Sequence, residues 1–145
     1  MASTGTWHVY RAAIGYFTNK QIDWDSDAGI KALLTTSAHT PNQNTHATKS
    51  DITNEASGTG YTARGAALTG KAVSTSGSET RYDADDLNWP SSSVTARNIH
   101  IYLDTGTDST SLLIAYCTLS GDETSVAGNW PHTFDATGIF GITVS

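Results

Sequence analysis

Ile99, Ile101 and Leu103 alternate with His100 and Tyr102, the period-two pattern of a strand with one face buried. Residues 104–111, Asp-Thr-Gly-Thr-Asp-Ser-Thr-Ser, have the composition of a turn. The run Leu112-Leu113-Ile114-Ala115-Tyr116-Cys117 that follows is short and continuously apolar, the pattern of a strand buried on both faces. The stretch 94–119 is therefore expected to fold as an antiparallel hairpin at the centre of the core.

The other elements are read as cover for that hairpin. Trp7, Tyr10, Ile14 and Phe17 fall at helical spacing, which predicts a short N-terminal helix capped by Thr6 and ended by Asn19, within a helical or arm segment over 1–20. Residues 30–36 read as a strand. Residues 37–49 hold almost nothing to bury and form a long loop, a class of segment that is usually functional or mobile. Ser50 or Asp51 is expected to cap a helical turn over 51–55. The glycine-rich stretch 56–70 is expected to turn into a strand carrying Tyr61. A strand over 71–74, a turn over 75–78 and a segment over 81–89, with Tyr82, Ala84, Leu87 and Trp89 facing inward, come next. Pro90 and Ser91–Ser93 break the chain. Residues 120–128 read as loop, 129–135 as an edge strand because of Pro131, and 139–144 as the last strand. About eight short strands with regular turn signals make a mainly β, antiparallel sandwich or jelly-roll-like barrel, a single domain over 1–145.

Charge and chemistry narrow the functions. The net charge is −6, and the 8 Lys and Arg are dispersed, so the clustered cations that displace counterions from phosphate, or that bind an anionic membrane, are missing. No apolar run approaches the roughly 18 residues that span a bilayer, and no secretory signal is read at Met1. Cys117, the single cysteine, reads as a small buried hydrophobe. Asp23, Asp25 and Asp27 resemble the start of a calcium loop, but Ala28 stands where that loop needs glycine and Leu34 where it needs glutamate. The cluster Asp83, Asp85, Asp86 reads as a solvated edge. Gly58, Gly60 and Ala63 match a dinucleotide fingerprint without the strand and helix that must flank it. His39 and His46 read as surface histidines, since third and fourth ligands are not visible. No nucleophile elbow or zinc-protease motif occurs, so no catalytic, cofactor-binding or metal-ligating residue is assigned. Four tryptophans, Trp7, Trp24, Trp89 and Trp130, leave a carbohydrate-binding module as an alternative.

Several segments in order resemble a family of small virion proteins of tailed bacteriophages. They are Ile22-Asp23-Trp24-Asp25, Ile30-Lys31-Ala32-Leu33-Leu34, Thr40-Pro41-Asn42, Asp51-Ile52, Asn54-Glu55-Ala56-Ser57-Gly58-Thr59-Gly60-Tyr61, Tyr82-Asp83-Ala84-Asp85-Asp86 with Trp89, Leu113-Ile114-Ala115-Tyr116 and Asp135-Ala136-Thr137-Gly138-Ile139. The resemblance implies a capsid cement or decoration protein on the outside of the head, made in the host cytoplasm. Its partners would be the major capsid protein and further copies of itself, as a dimer or trimer, with no nucleic acid, membrane or cofactor. A tail or head-completion role is the runner-up. Candidate partner contacts lie in the N-terminal segment and the long loop: Trp7, Tyr10, His39, Thr40, Pro41, Asn42 and His46.

Overall fold

The computed structural model describes residues 5–143. Its ten strands are β1 (Gly5–Val9), β2 (Ile30–Thr35), β3 (Ala66–Ala67), β4 (Ala72–Ser76), β5 (Glu79–Asp83), β6 (Leu87–Ser92), β7 (Thr95–Leu103), β8 (Leu112–Thr124), β9 (Gly128–His132) and β10 (Phe140–Thr143). A single α-helix, α1 (Arg11–Thr18), follows β1. All strand pairs are antiparallel: a five-stranded sheet in the order β1-β8-β7-β2-β3, a three-stranded sheet β10-β5-β4, and a two-stranded ribbon β6-β9. The fold is mainly β and sandwich-like, as expected, with ten strands among the described residues in place of about eight.

The hairpin of β7 and β8 occupies the middle of the large sheet, in register from Thr95↔Thr124 to Leu103↔Leu112 with two irregularities. On one face Ile30, Ala32, Leu34, Ile99, Ile101, Ala115, Cys117 and Leu119 meet Trp24, Leu87, Trp89, Trp130 and Phe140 in a continuous core. The opposite face carries Leu33, Tyr102 and Leu113, covered by Tyr10 and Ala13. The expectation of one buried face for the 99–103 strand is thus corrected, because His100 and Tyr102 are both fully buried on the second side. Two layers of cover, not one, enclose the sheet.

Several local expectations also change. Trp7 and Thr6 lie in β1, paired with Cys117 and Thr118, so Thr6 caps nothing and the helix starts only after Tyr10. The helical spacing of Trp7 and Tyr10 is a coincidence of a strand running directly into a helix. The helix does end at Asn19, whose N–H bonds Gly15 O. A short 3-10 turn at Lys49–Asp51 replaces the helical turn over 51–55, and the Asp51 carboxylate accepts from the Ala47 and Thr48 amides. β8 runs on to Thr124, which shortens the following loop. Pro90 does not break the chain: β6 carries it past an irregularity between Trp89 and Ser92, with Ser91 at φ 51°. Residues 1–4 of the expected N-terminal arm, and Val144 of the last strand, lie outside the described residues.

The glycine-rich stretch has a steric purpose in place of a nucleotide-binding one. Tyr61 sits on a loop, not a strand, and that loop is pressed onto the sheet. Gly65 has φ +82°, and a side chain there would overlap the Ala32 carbonyl; Gly77, at φ +62° in the β4–β5 turn, faces open space. Replacing Gly77 by Ala is expected to cost only the left-handed strain, about 1–2 kcal/mol. Gly65→Ala adds a backbone collision and is expected to cost about 2–5 kcal/mol in all. Urea denaturation of the two variants checks this, and equal losses would show that the loop is not held against β2.

Candidate functional site

The long loop does not project from the molecule. Its backbone is strapped across the second face of the large sheet. Arg11 N–H bonds Gln43 O and the Gln43 side chain bonds Val9 O, tying the loop to the start of α1. Ala47 O accepts from Leu113 N–H and from the Tyr16 hydroxyl, tying the other end to β8 and the helix. Asn42 shapes the bend by accepting from the Asn44 and Thr45 amides. The segment is polar because its own turns and the sheet edge consume its hydrogen-bonding groups.

Beneath this strap lies a polar cluster that no apolar pattern announces. Asn98 donates from Nδ2 to Thr35 Oγ1 (3.0 Å), Thr36 O (3.3 Å) and His39 O (3.1 Å), and accepts from the Thr118 hydroxyl (2.8 Å). His100, wholly buried, has Nδ1 at 2.7 Å from the Tyr10 hydroxyl and Nε2 at 3.0 Å from Thr35 Oγ1. The His39 ring centroid lies 5.1 Å from that of His100 and 5.5 Å from that of His46. His39 Nδ1 accepts from the Thr53 amide and contacts its hydroxyl, whereas Nε2 is buried with no hydrogen-bond partner. His46 Nδ1 accepts from the Asn42 amide. Burial, reinforced by the neighbouring histidines, pushes His100 well below the ordinary imidazole value and His39 in the same direction.

Of the residues singled out in the sequence, the structure gathers Tyr10, His39 and His46 here. The surface reading of His39 is corrected, since it is 4 % exposed, while His46 is half-buried. Thr40 and Asn42 are exposed and Pro41 half-buried on the strap. Trp7 lies on the other side of the sheet against His132 and Phe134. Trp24, Trp89 and Trp130 are buried, so among the indoles only Trp7 offers partial exposure. Sequence reasoning missed His100, Asn98 and Thr35. The available signal was that polar residues interrupt otherwise apolar strands, Thr35 opposite Asn98 and His100 opposite Leu33.

A second polar group clamps the end of the same sheet. Arg64 makes two-pronged contact with Asp104 and also reaches Asp108, while Lys31 Nζ lies 2.9 Å from Asp104. These cations hold the Asp104 and Asp108 carboxyls below the usual range, with the Arg64 hydrogen bonds the largest cause. Glu55 accepts from Arg64 N–H and from the Tyr61 hydroxyl, which itself accepts from Leu34 N–H. The acidic clusters noted in the sequence serve turns and loop ties. Asp23 accepts from Ser26 N–H and Asp27 from Asp23 N–H; Asp85 accepts from Thr69 and Asp86 from Phe134 N–H. Among the described residues no group of three or more His, Cys, Asp or Glu is arranged to hold a metal ion. Comparison of the chain with family models, curated proteins and solved structures gives no match in any of the three.

Two outcomes follow from this geometry. Asn98→Ala removes four hydrogen bonds, those to Thr35 Oγ1 and His39 O wholly buried, and is expected to cost at least about 2 kcal/mol in urea unfolding. A loss below half of that would mean the cluster contributes little. Stability should also fall with pH in two separate windows. The unfolded chain takes up protons near 6.5 that His39, His100 and His132 resist in the fold, so their contribution is complete above pH 6.5 and is lost as pH falls below it. The slope is up to about 1.4 kcal/mol per pH unit for each ring. Asp51, Asp104 and Asp108 are lowered from 3.8, so their contribution persists until the pH drops below that value. Urea midpoints flat from pH 7.5 to 5 would contradict the histidine assignment.

Proposed function

We propose that this chain is a structural protein of a phage virion, a capsid cement or decoration protein that binds outside the head and bridges major capsid protein subunits. The ordered segment resemblance supports the reading, and so does an acidic, hydroxyl-rich surface suited to a protein that must stay dissolved before it assembles. The observation that carries it is how the sheet edges are treated. Most edges are blunted in the ways that prevent strand addition. β3 is two residues long, β6 and β9 contain Pro90 and Pro131, and β10 lies beside β1. β4 differs: it carries no proline or charged residue and is exposed at all five positions.

An open edge accepts an extended segment of another chain through main-chain hydrogen bonds. The open β4 edge on one sheet, with the exposed Thr40 and Asn42 of the strap on the other, lets a small protein engage two neighbours. The second contact then forms at high effective concentration, so modest interfaces suffice on a lattice. Further copies of the chain would gather as a dimer or trimer around a symmetry axis of the shell. Thr40, Pro41 and Asn42 on the strap supply shape next to the β1 edge, because Gln43 bonds Val9.

Counting copies per purified particle tests the reading: hundreds fit cement, whereas six or twelve fit the tail or head-completion role. Val73→Lys combined with Thr75→Lys charges the β4 edge at exposed positions and is expected to leave circular dichroism unchanged. Occupancy on capsids should fall at least about tenfold if that edge takes a partner strand. Wild-type occupancy in that variant would remove β4 from the interface.

A further inference from the structure

Two imidazoles of the strap, lying over the buried His100, are held by bonds that require a neutral ring nitrogen. His39 Nδ1 accepts from Thr53 N–H, and His46 Nδ1 accepts from Asn42 N–H. An imidazolium is a donor at both nitrogens and can accept neither bond. Below them, both nitrogens of His100 are already engaged by the Tyr10 and Thr35 hydroxyls, so that ring offers no relief. His39 is the exposed weakness of the arrangement, since its Nε2 is buried without a partner.

The charges facing the cluster act unevenly. On the sheet side the His100 ring meets Tyr10, just before α1, and Tyr116 from β8, with His8 of β1 tilted against Tyr116. The charged group acting on His39 is His46, and those acting on His100 are His39 and His46. Asp51, at the end of the 3-10 turn, acts on His46 and Tyr10.

We infer that the strap is an acid-released cover: protonation of His39 withdraws the acceptor of the Thr53 amide, sets a cation against the buried His100 ring, and loosens residues 40–46 while the sandwich stays folded. The hinges are set by groups that do not titrate in the same range. Asn98 grips Thr36 O and His39 O at one end, and the Asp51 carboxylate grips the Ala47 and Thr48 amides at the other. The main core on the opposite face of the sheet contains no residue of the strap. The movement displaces Thr40, Pro41 and Asn42 from the β1 side of the molecule, and it does so whether or not a capsid is the partner.

Amide hydrogen exchange on the full chain, corrected for intrinsic rates, reads this directly. Between pH 7.5 and 5.0 the protection of the Arg11, Asn42, His46 and Thr53 amides should fall at least about tenfold relative to Ile99 and Ile101, since each proton taken up on opening contributes up to about tenfold per pH unit. Unchanged protection, or strap and hairpin amides failing together, would overturn the inference. His39→Asn places a non-titrating acceptor near the Thr53 amide and should abolish most of the response; a wild-type response in that variant also overturns it. Should that variant not fold, the His39 ring titration followed by NMR in the wild-type chain must share its midpoint with the loss of protection. Midpoints more than about one pH unit apart reject the inference.

Discussion

A strand pair buried on both faces leaves its polar side chains nowhere to find water, and the rest of this molecule answers to that constraint. β7 and β8 are such a pair. The face turned toward Trp89 and Trp130 is solved by apolar contact alone. The other face carries Asn98 and His100 at 1 % and 0 % exposure, and each unsatisfied polar group there would cost about 1–3 kcal/mol. Thr35, Thr118 and Tyr10 supply partners from β2, β8 and the β1–α1 junction, and the strap closes over what remains. Loop and helix are therefore shaped by the polar contents of the sheet as much as by its apolar ones.

The Arg64 clamp plays a different part. Its side chain is partly solvated and Asp108 half-exposed, so the pairs themselves contribute modestly, while the Asp104 carboxylate, at 5 % side-chain exposure, must stay paired. What the clamp fixes is position. Arg64 has φ 76°, its carbonyl accepts from the Tyr102 hydroxyl at 2.6 Å, and its amide donates to Glu55 at 2.7 Å. Backbone and side chain together pin the loop before β3 to the turn between β7 and β8. Apolar burial decides stability, and the ion pairs decide which loop conformation accompanies it.

The sheet was largely legible in the sequence because period-two alternation is a local signal. The central hairpin, the strands over 30–35 and 140–143 and the weak edge strand with Pro131 all follow from residues a few places apart. What alternation cannot reveal is what covers a face. His100 sits between Ile99 and Ile101 and reads as outward-facing, yet its partner Tyr10 is 90 residues away in sequence. Asn98 is hidden for the same reason, since its partners come from two distant stretches, 35–39 and Thr118. The N-terminal helix was misplaced by one element because aromatics at three- and four-residue spacing suit a strand–helix junction equally well. Loop 37–49 was recognisable as long and polar, but whether such a loop stands free or lies down depends on non-local bonds such as Gln43 to Val9. None of the contact-forming candidates could be ranked without those bonds.

Cys117 lies opposite Trp7 in the β1–β8 pairing, fully buried, with its thiol pushed up to about 12 by desolvation. The nucleophilic thiolate is therefore suppressed twice over, by acidity and by access, for as long as β1 stays in place. The single thiol of the chain thereby becomes a silent label. Alkylating reagents will find it only in molecules whose β1–β8 pairing or main core has opened, so the rate of modification is a clock for that opening.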